Sequence, residues 1–323
     1  MTRTPLRVSF LGGGTDLTWF SDEHSGQVLS AALNKYVYIS GHPMFDSTRI
    51  LLKYSESENV KDVSEIRHPI FREVLSFFGI EGFDFAVNAD VPSGTGLGSS
   101  SSFTVGLLNF VKAHLGTVFS QIELAELACH FEIERLQEPI GKQDQFAAAF
   151  GGVHAFEFKK TGEVKAEPLV LGVRDQSWLD NCLLLIRIGR ETRSAGELLL
   201  KQKEISLQGS KELDALTDLL LLTKEAIPRV RKNIRELPQF VNMGWELKKQ
   251  SNPGASSPEV EEVIARAMSA GALGCKLLGA GGAGFVLAIC DPDNIESVIS
   301  IFPTAKTLRI RPEPRGSSIV YQD

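Results

Sequence analysis

The segment Pro92-Ser93-Gly94-Thr95-Gly96-Leu97-Gly98-Ser99-Ser100-Ser101-Ser102 sets three glycines and a run of serines between a strand-like stretch and an amphipathic helical one. Glycines let the backbone take positive φ and come close to a polyanion, while the first turn of a helix offers unpaired N–H groups and the positive end of a dipole. Phosphate binding is the expected chemistry. The serine hydroxyls can reach phosphate oxygens or a metal, or can simply cap the helix. The segment is no Walker loop, because GxxxxGK[ST] needs a lysine before the hydroxyl and none is present.

Two further glycine-rich segments carry chemistry less directly. Arg3 to Leu17 runs as a strand into Gly12-Gly13-Gly14-Thr15-Asp16, which reads as a tight turn capped by Asp16 or as a ligand loop. Gly279-Ala280-Gly281-Gly282-Ala283-Gly284 contains a literal GxGxxG and raises dinucleotide binding. That fingerprint opens a helix, whereas Phe285 to Ile289 is an apolar, strand-like run. A glycine hairpin packed on other loops is the better expectation.

Acidic residues gather at Glu126, Glu132, Glu134 and Glu138, followed by Gly141-Lys142-Gln143-Asp144-Gln145. The six histidines show no metal spacing such as HExxH, and no GxSxG elbow surrounds Ser99 or Ser100.

The elements that must position these residues are mixed. Strands are expected at Arg7–Leu11, Val28–Ser40, Arg49–Tyr54, Phe83–Val91, Val153–Phe158, Leu183–Ile188, Cys275–Leu278 and Phe285–Ile289. Helical periods appear at Ile66–Phe78, Ser100–Leu115, Gln121–Leu136, Ala195–Ile205, Lys211–Val230, Phe240–Lys248 and Pro258–Ala270. Without a strict βαβ rhythm the class is α+β. At 323 residues two domains are expected, 1–170 and 171–323, with the boundary near a turn-like Lys159-Lys160-Thr161-Gly162. Ser251 to Pro258, rich in Ser, Pro and Gly, is the expected mobile loop.

Net charge is −6, with 43% hydrophobic and 23% charged residues, so total charge favours neither nucleic acid nor an anionic membrane. Any anionic substrate must be held by local cations. The four cysteines are scattered in apolar settings, as for buried free thiols in a reducing cytoplasm, and no apolar stretch approaches the roughly 18 residues that span a bilayer.

Pro92 to Ser100 match P-x-x-x-G-L-G-S-S in full, and with the other two glycine segments in order the chain resembles the GHMP kinases from Thr4 to about Leu287. The resemblance implies a two-domain fold, with a ribosomal-protein-S5-like N-terminal domain and a ferredoxin-like C-terminal one. It implies ATP and Mg²⁺, with Pro92, Gly94, Gly96, Leu97, Gly98, Ser99, Ser100 and Ser101 around the nucleotide. Ser100 and Glu134 would hold the metal; Glu134 is chosen over Glu132 because Asp144 follows it by ten positions. Asp144 would handle the proton of the attacked hydroxyl, with the cation Arg7 beside it. Gly13, Gly14, Thr15, Asp16, Asp144, Arg193, Gly281 and Gly282 would line the sugar site. Ala283 departs from the glycine usual in the family's third motif.

The Gly-Gly-Gly-Thr-Asp form resembles the branch acting on heptoses at the anomeric carbon. It implies conversion of a heptose 7-phosphate to the 1,7-bisphosphate on the route to GDP-heptose for bacterial surface polysaccharide. Lys35, Arg49, Lys53 and Arg315 are candidate cations for the far phosphate. A hexose or fucose 1-kinase is the alternative within the family; a dinucleotide-dependent oxidoreductase and a non-catalytic sugar sensor are those outside it. The expected partner is a small sugar or sugar phosphate, with no nucleic acid or membrane and with a homodimer allowed.

Overall fold

The computed structural model describes residues 1–45, 48–189, 199–200, 204, 210–252 and 254–322. The first sheet is built on two long strands, β1 (Thr2–Leu11) and β2 (Gly26–Pro43), paired antiparallel with bulges at Pro5/Leu6 and Ser9/Leu11. It continues through β3 (Ile50–Lys53), β4 (Ser57–Val60), β5 (Phe83–Ala89), β6 (Val153–Phe158) and β7 (Val164–Pro168). The second sheet holds β8 (Leu183–Ile188), β9 (Ala272–Leu277), β10 (Gly284–Cys290) and β11 (Thr307–Ile310). The last strand, β12 (Ser318–Ile319), returns to the first sheet beside β1. The first sheet runs β12-β1-β2-β5-β3-β4, with β6 added to β2 and β7 to β6.

The second sheet has the order β11-β8-β10-β9 with every pair antiparallel, the 4-1-3-2 arrangement of a ferredoxin-like unit. The expected two-domain fold is therefore present, with β12, from the expected second half, belonging to the first sheet. Lys159 to Gly162 form the hairpin joining β6 to β7 inside the first sheet rather than a domain junction.

Helices α1 (Thr18–His24), α2 (Pro69–Phe78), α3 (Ser99–His114), α4 (Gln121–Cys129) and α5 (Gln143–Phe150) belong to the first unit. Later come α6 (Val173–Asn181), α7 (Ser210–Lys232), α8 (Leu237–Ser251), α9 (Pro258–Ser269) and α10 (Ile295–Ser300). The expected helix at 195–205 lies outside the described residues except 199, 200 and 204.

Helix α3 is buried along most of its length and lies close on β1 because Gly106 has no Cβ; one there would sit 2.7 Å from Thr4 Oγ1. That close packing aims its N-terminus at the end of the sheet. In α5, Phe146 and Ala147–Ala149 are buried, which seats the helix and presents its first turn, Gln143 to Gln145, to the same place. Helix α8 of the second unit reaches across to β1, with Gly244 against Leu11.

In the loop expected to be mobile, the described residues Asn252 and Ala255 are bonded to the third glycine segment. Asn252 Nδ2 donates to the Ala280 carbonyl at 3.2 Å, the Gly282 N–H donates to Ala255 at 3.2 Å, and Ala255 is buried.

Candidate active site

One guanidinium joins three of these elements. Arg7, buried on β1, donates from Nε to Asp144 Oδ1 at 2.6 Å and from Nη2 to Asp144 Oδ2 at 2.7 Å. Its remaining Nη1 donates to the Gly96 carbonyl at 2.6 Å, and its backbone N–H to Leu97 at 3.0 Å. The strand, the serine-glycine loop and the first turn of α5 are thereby fixed to one another.

Each residue of that first turn holds a different charged group. Gln143 donates to Asp16 from its backbone N–H at 3.1 Å and from Nε2 at 2.9 Å, and the Gly14 N–H adds a third bond at 3.0 Å. Burial raises the Asp16 pKa, and the neighbouring charge of Asp144 adds to the rise. Gln145 Nε2 donates to Glu132 Oε2 at 2.6 Å, while Thr104 and Ser100 hydroxyls approach Oε1 at 3.0 and 3.3 Å. Burial pushes the Glu132 carboxyl up to about 7, against the pull of hydrogen bonds from Ser101, Gln145 and Thr104.

Glu132, not Glu134, is therefore the glutamate that meets the serine run, and Glu138 also lines the site. The Glu134 side chain is 70% exposed and pairs with His130 at 2.7 Å. The reason is local: α4 passes into a π-helical turn, His130–Arg135, in which Phe131 and Glu132 face inward and Glu134 faces out.

Around these groups lies a cleft of about 320 Å³. Its walls include Gly13, Gly14, Asp16, Gly94, Gly96, Gly98, Ser99, Ser100, Ser101, Asp144 and Gly281, all expected from the sequence. Gly94, Gly96 and Gly98 have φ of 72°, 83° and 70°. Gly98 stands at the N-cap of α3 with no side-chain cap bond, so the first-turn N–H groups have no intrahelical partner.

Besides Glu134, four expected residues do not line the cleft. Thr15 turns its hydroxyl to the Gly12 and Gln27 carbonyls, Leu97 is core, Pro92 is exposed, and Gly282 is bonded to Ala255. Arg193 lies outside the described residues. The third glycine segment leads into strand β10, not a helix, and packs on the phosphate loop: a Cβ on Gly96 would lie 2.7 Å from the Leu278 carbonyl.

Lys35, Arg49, Lys53 and Arg315 also fall outside the cleft; Lys53, for example, pairs with Asp84 at 2.7 Å. Among the described residues the lysines that do reach it are Lys248 of α8 and Lys276 of β9. Periodicity alone could have flagged Lys276 as a charged residue inside an apolar strand.

This arrangement has relatives. Residues 65–152 match the GHMP kinases N terminal domain and residues 222–306 the GHMP kinases C terminal domain. The chain belongs to the GHMP kinases. It is therefore an ATP-dependent kinase, a phosphotransferase. A D-glycero-alpha-D-manno-heptose 7-phosphate kinase from Campylobacter jejuni is 31% identical, the match covering 92% of this chain and 91% of that one. A galactokinase from Pyrococcus furiosus is 24% identical over 92% of this chain and 90% of its own. In fold, the chain superimposes with a TM-score of 0.78 on the crystal structure of a D-glycero-D-manno-heptose 1-phosphate kinase from Bacteriodes thetaiotaomicron, at 23% identity over 99% of both chains. Among the described residues no helix is long and apolar enough to cross a membrane.

Proposed function

We propose that this GHMP kinase phosphorylates the anomeric hydroxyl of a heptose 7-phosphate, giving the 1,7-bisphosphate. The observation that carries the reading is the meeting of Asp16, Asp144, Glu132 and the serine-glycine loop in one cleft, in a chain 31% identical to a heptose 7-phosphate kinase. In the reaction the anomeric oxygen attacks the γ-phosphorus of ATP, the bond from that phosphorus to the β,γ-bridging oxygen breaks, and ADP leaves with the electron pair. The hydroxyl proton passes to Asp144 and then to solvent.

The transition state of phosphoryl transfer is loose, so positioning and charge neutralisation carry most of the rate. Asp144 serves both needs. Arg7 occupies one lone-pair direction on each of its oxygens, leaving others for the sugar hydroxyl, and an anomeric hydroxyl is acidic enough for a carboxylate to receive its proton late. Asp16 is held by three N–H donors and presents its carboxylate to sugar hydroxyls. The unpaired N–H groups at the start of α3 and the loop glycines receive the nucleotide phosphates.

The site fits Mg²⁺. Glu132 is a buried carboxylate with no ion-pair partner among the described residues, and Ser100 sets a second hard oxygen beside it. No cluster of three or more His, Cys, Asp or Glu side chains occurs among the described residues, which suits an ion shared with phosphates and water rather than caged by protein. When bound, Mg²⁺ neutralises charge on the phosphate oxygens. The neighbouring galactokinase keeps a hexose 1-kinase as the competing reading.

The test is ATP consumption against free and 7-phosphorylated heptoses and hexoses, with the product position read by phosphorus NMR. A new resonance on carbon 1 of the heptose phosphate is expected; transfer to hexoses alone overturns the reading.

A further inference from the structure

Three cations meet on one side of the cleft, and only one has a carboxylate to itself. Arg7 is matched by Asp144. Lys248 on α8 makes no ion pair among the described residues; its Nζ donates to the Gly279 carbonyl and its chain lines the cleft. Lys276 on β9, 5% exposed, donates from Nζ to the Phe10 carbonyl at 3.1 Å and likewise lacks a carboxylate. Burial and the charge of Arg7 depress Lys248, and burial, Lys248 and Arg7 depress Lys276. Cations gathered this way are costly until an anion joins them.

The geometry points to Lys248, with Lys276 behind it, as the receptor for an anionic group on the sugar substrate. An ammonium has three N–H donors and Lys248 spends one on Gly279, leaving two for phosphate oxygens. The end of the cleft it serves follows from its neighbours. Lys276 donates to the Phe10 carbonyl, and Lys248 stands one turn beyond Gly244, which packs on Leu11, so both lie against the end of β1 that leads into the loop 12–16 and its sugar contact, Asp16, whereas Glu132 sits with the serines at the nucleotide end. ATP already has the loop glycines and the N-terminus of α3. A neutral sugar offers the lysine pair hydroxyl acceptors but no charge to offset theirs, whereas a sugar phosphate supplies both.

This inference rests on the sugar-kinase reading above and names the residues that choose a phosphorylated member of that class. The experiment compares the native enzyme with Lys248→Met and Lys248→Arg on paired phosphorylated and unphosphorylated sugars. For Lys248→Met the KM for the sugar phosphate is expected to rise about tenfold or more, the scale of a lost charged hydrogen bond, with KM for ATP unchanged. Lys248→Arg keeps the charge and is expected to retain the preference. Should the methionine variant fail to fold, inorganic phosphate inhibition of the native enzyme decides: it is expected to compete with the sugar phosphate and not with ATP.

Several results overturn the inference: a rise in KM for ATP instead, an unchanged KM for the sugar phosphate, phosphate competing with ATP alone, or native preference for neutral sugars. Preference for a hexose phosphate that depends on Lys248 leaves the inference standing while removing the heptose reading.

Discussion

Arg7 and Asp144 face each other edge to edge, two nitrogens to two oxygens at 2.6 and 2.7 Å, with side chains 7% and 21% exposed. Such a fork fixes the carboxylate in rotation as well as in place, which a lysine cannot do. The same guanidinium holds the Gly96 carbonyl, so the proton acceptor and the phosphate loop share one anchor.

Replacing Asp144 with Asn keeps an oxygen for Arg7 but removes the proton acceptor. Turnover is expected to fall by about 10² or more, with ATP affinity little changed and the fold intact by circular dichroism. Near-native turnover in a folded variant removes Asp144 from this role.

Arg7→Lys is expected to hurt twice. Losing the fork should lower unfolding stability by about 1–3 kcal/mol and reduce turnover together, since both carboxylate and loop lose their tie. Thermal melts and initial rates on the same sample check it; a variant with native stability and reduced rate alone contradicts the shared anchor.

The two glutamates give opposite expectations. Glu132→Gln should raise the magnesium concentration needed for half-maximal rate and be partly rescued by excess metal, because the amide supplies oxygen without charge. Glu134→Gln should behave as native, given its exposed pairing with His130. Magnesium titrations of both variants decide, and the reverse pattern returns the ligand to Glu134.

That pair also shows where the sequence was legible. The glycine loops, Asp16, Asp144 and Arg7 were readable because backbone demands for positive φ and close approach restrict residue type. Glu132 was readable too, though from helical phase: Leu124 and Ala128, buried, precede it at intervals of four, while Glu134 lies two residues round to the open side. Counting ten residues to Asp144 outweighed that phase, and no propensity announces a π-helical turn. The meeting of the cleft lysines was illegible for another reason. Lys276 could be flagged as a charge inside an apolar strand, but its approach to Lys248 depends on the long-range packing of α8 on β9 and on β1, whereas candidates such as Lys53 were chosen from strands whose neighbours were unknown.

The pH profile should report Lys248. Its pKa is lowered to about 8 by burial first and Arg7 second, with Asp16 opposing. It is charged below about 8 and neutral above, so kcat/KM for the sugar phosphate should decline as pH rises past 8. Lys248→Arg should move that decline to higher pH. Linkage gives the sign for stability: between about 8 and the ordinary lysine range the unfolded chain binds more protons, so this residue's contribution to apo stability improves as pH rises there.

Gly98→Val should disturb more than the phosphate. At φ 70° a Cβ is strained, and it would lie 3.0 Å from Asp144 Oδ2 and 3.2 Å from Arg7 Cγ. Weaker ATP binding by titration is therefore expected along with a fall in turnover. Unchanged ATP affinity in a folded variant takes the loop out of the nucleotide site.

Gly141→Ala isolates the sugar end. Gly141 has no left-handed backbone to defend; what it lacks is room, since a Cβ there would lie 1.9 Å from Asp16 Oδ2. Asp16 must then move away from the donors that hold it, the Gly14 and Gln143 N–H groups and the Gln143 amide. Arg7, Asp144 and the α3 N-terminus are untouched, so the nucleotide end stays as it was. The expected result is a raised KM for the sugar with KM for ATP unchanged, the signature of a lost substrate contact rather than a lost catalytic group. Asp16→Asn should share the direction, because an amide cannot accept from the same three donors and still offer two equivalent oxygens to the sugar. If Gly141→Ala instead lowers turnover at saturating sugar and leaves KM alone, Asp16 acts on the reacting hydroxyl rather than on the rest of the ring.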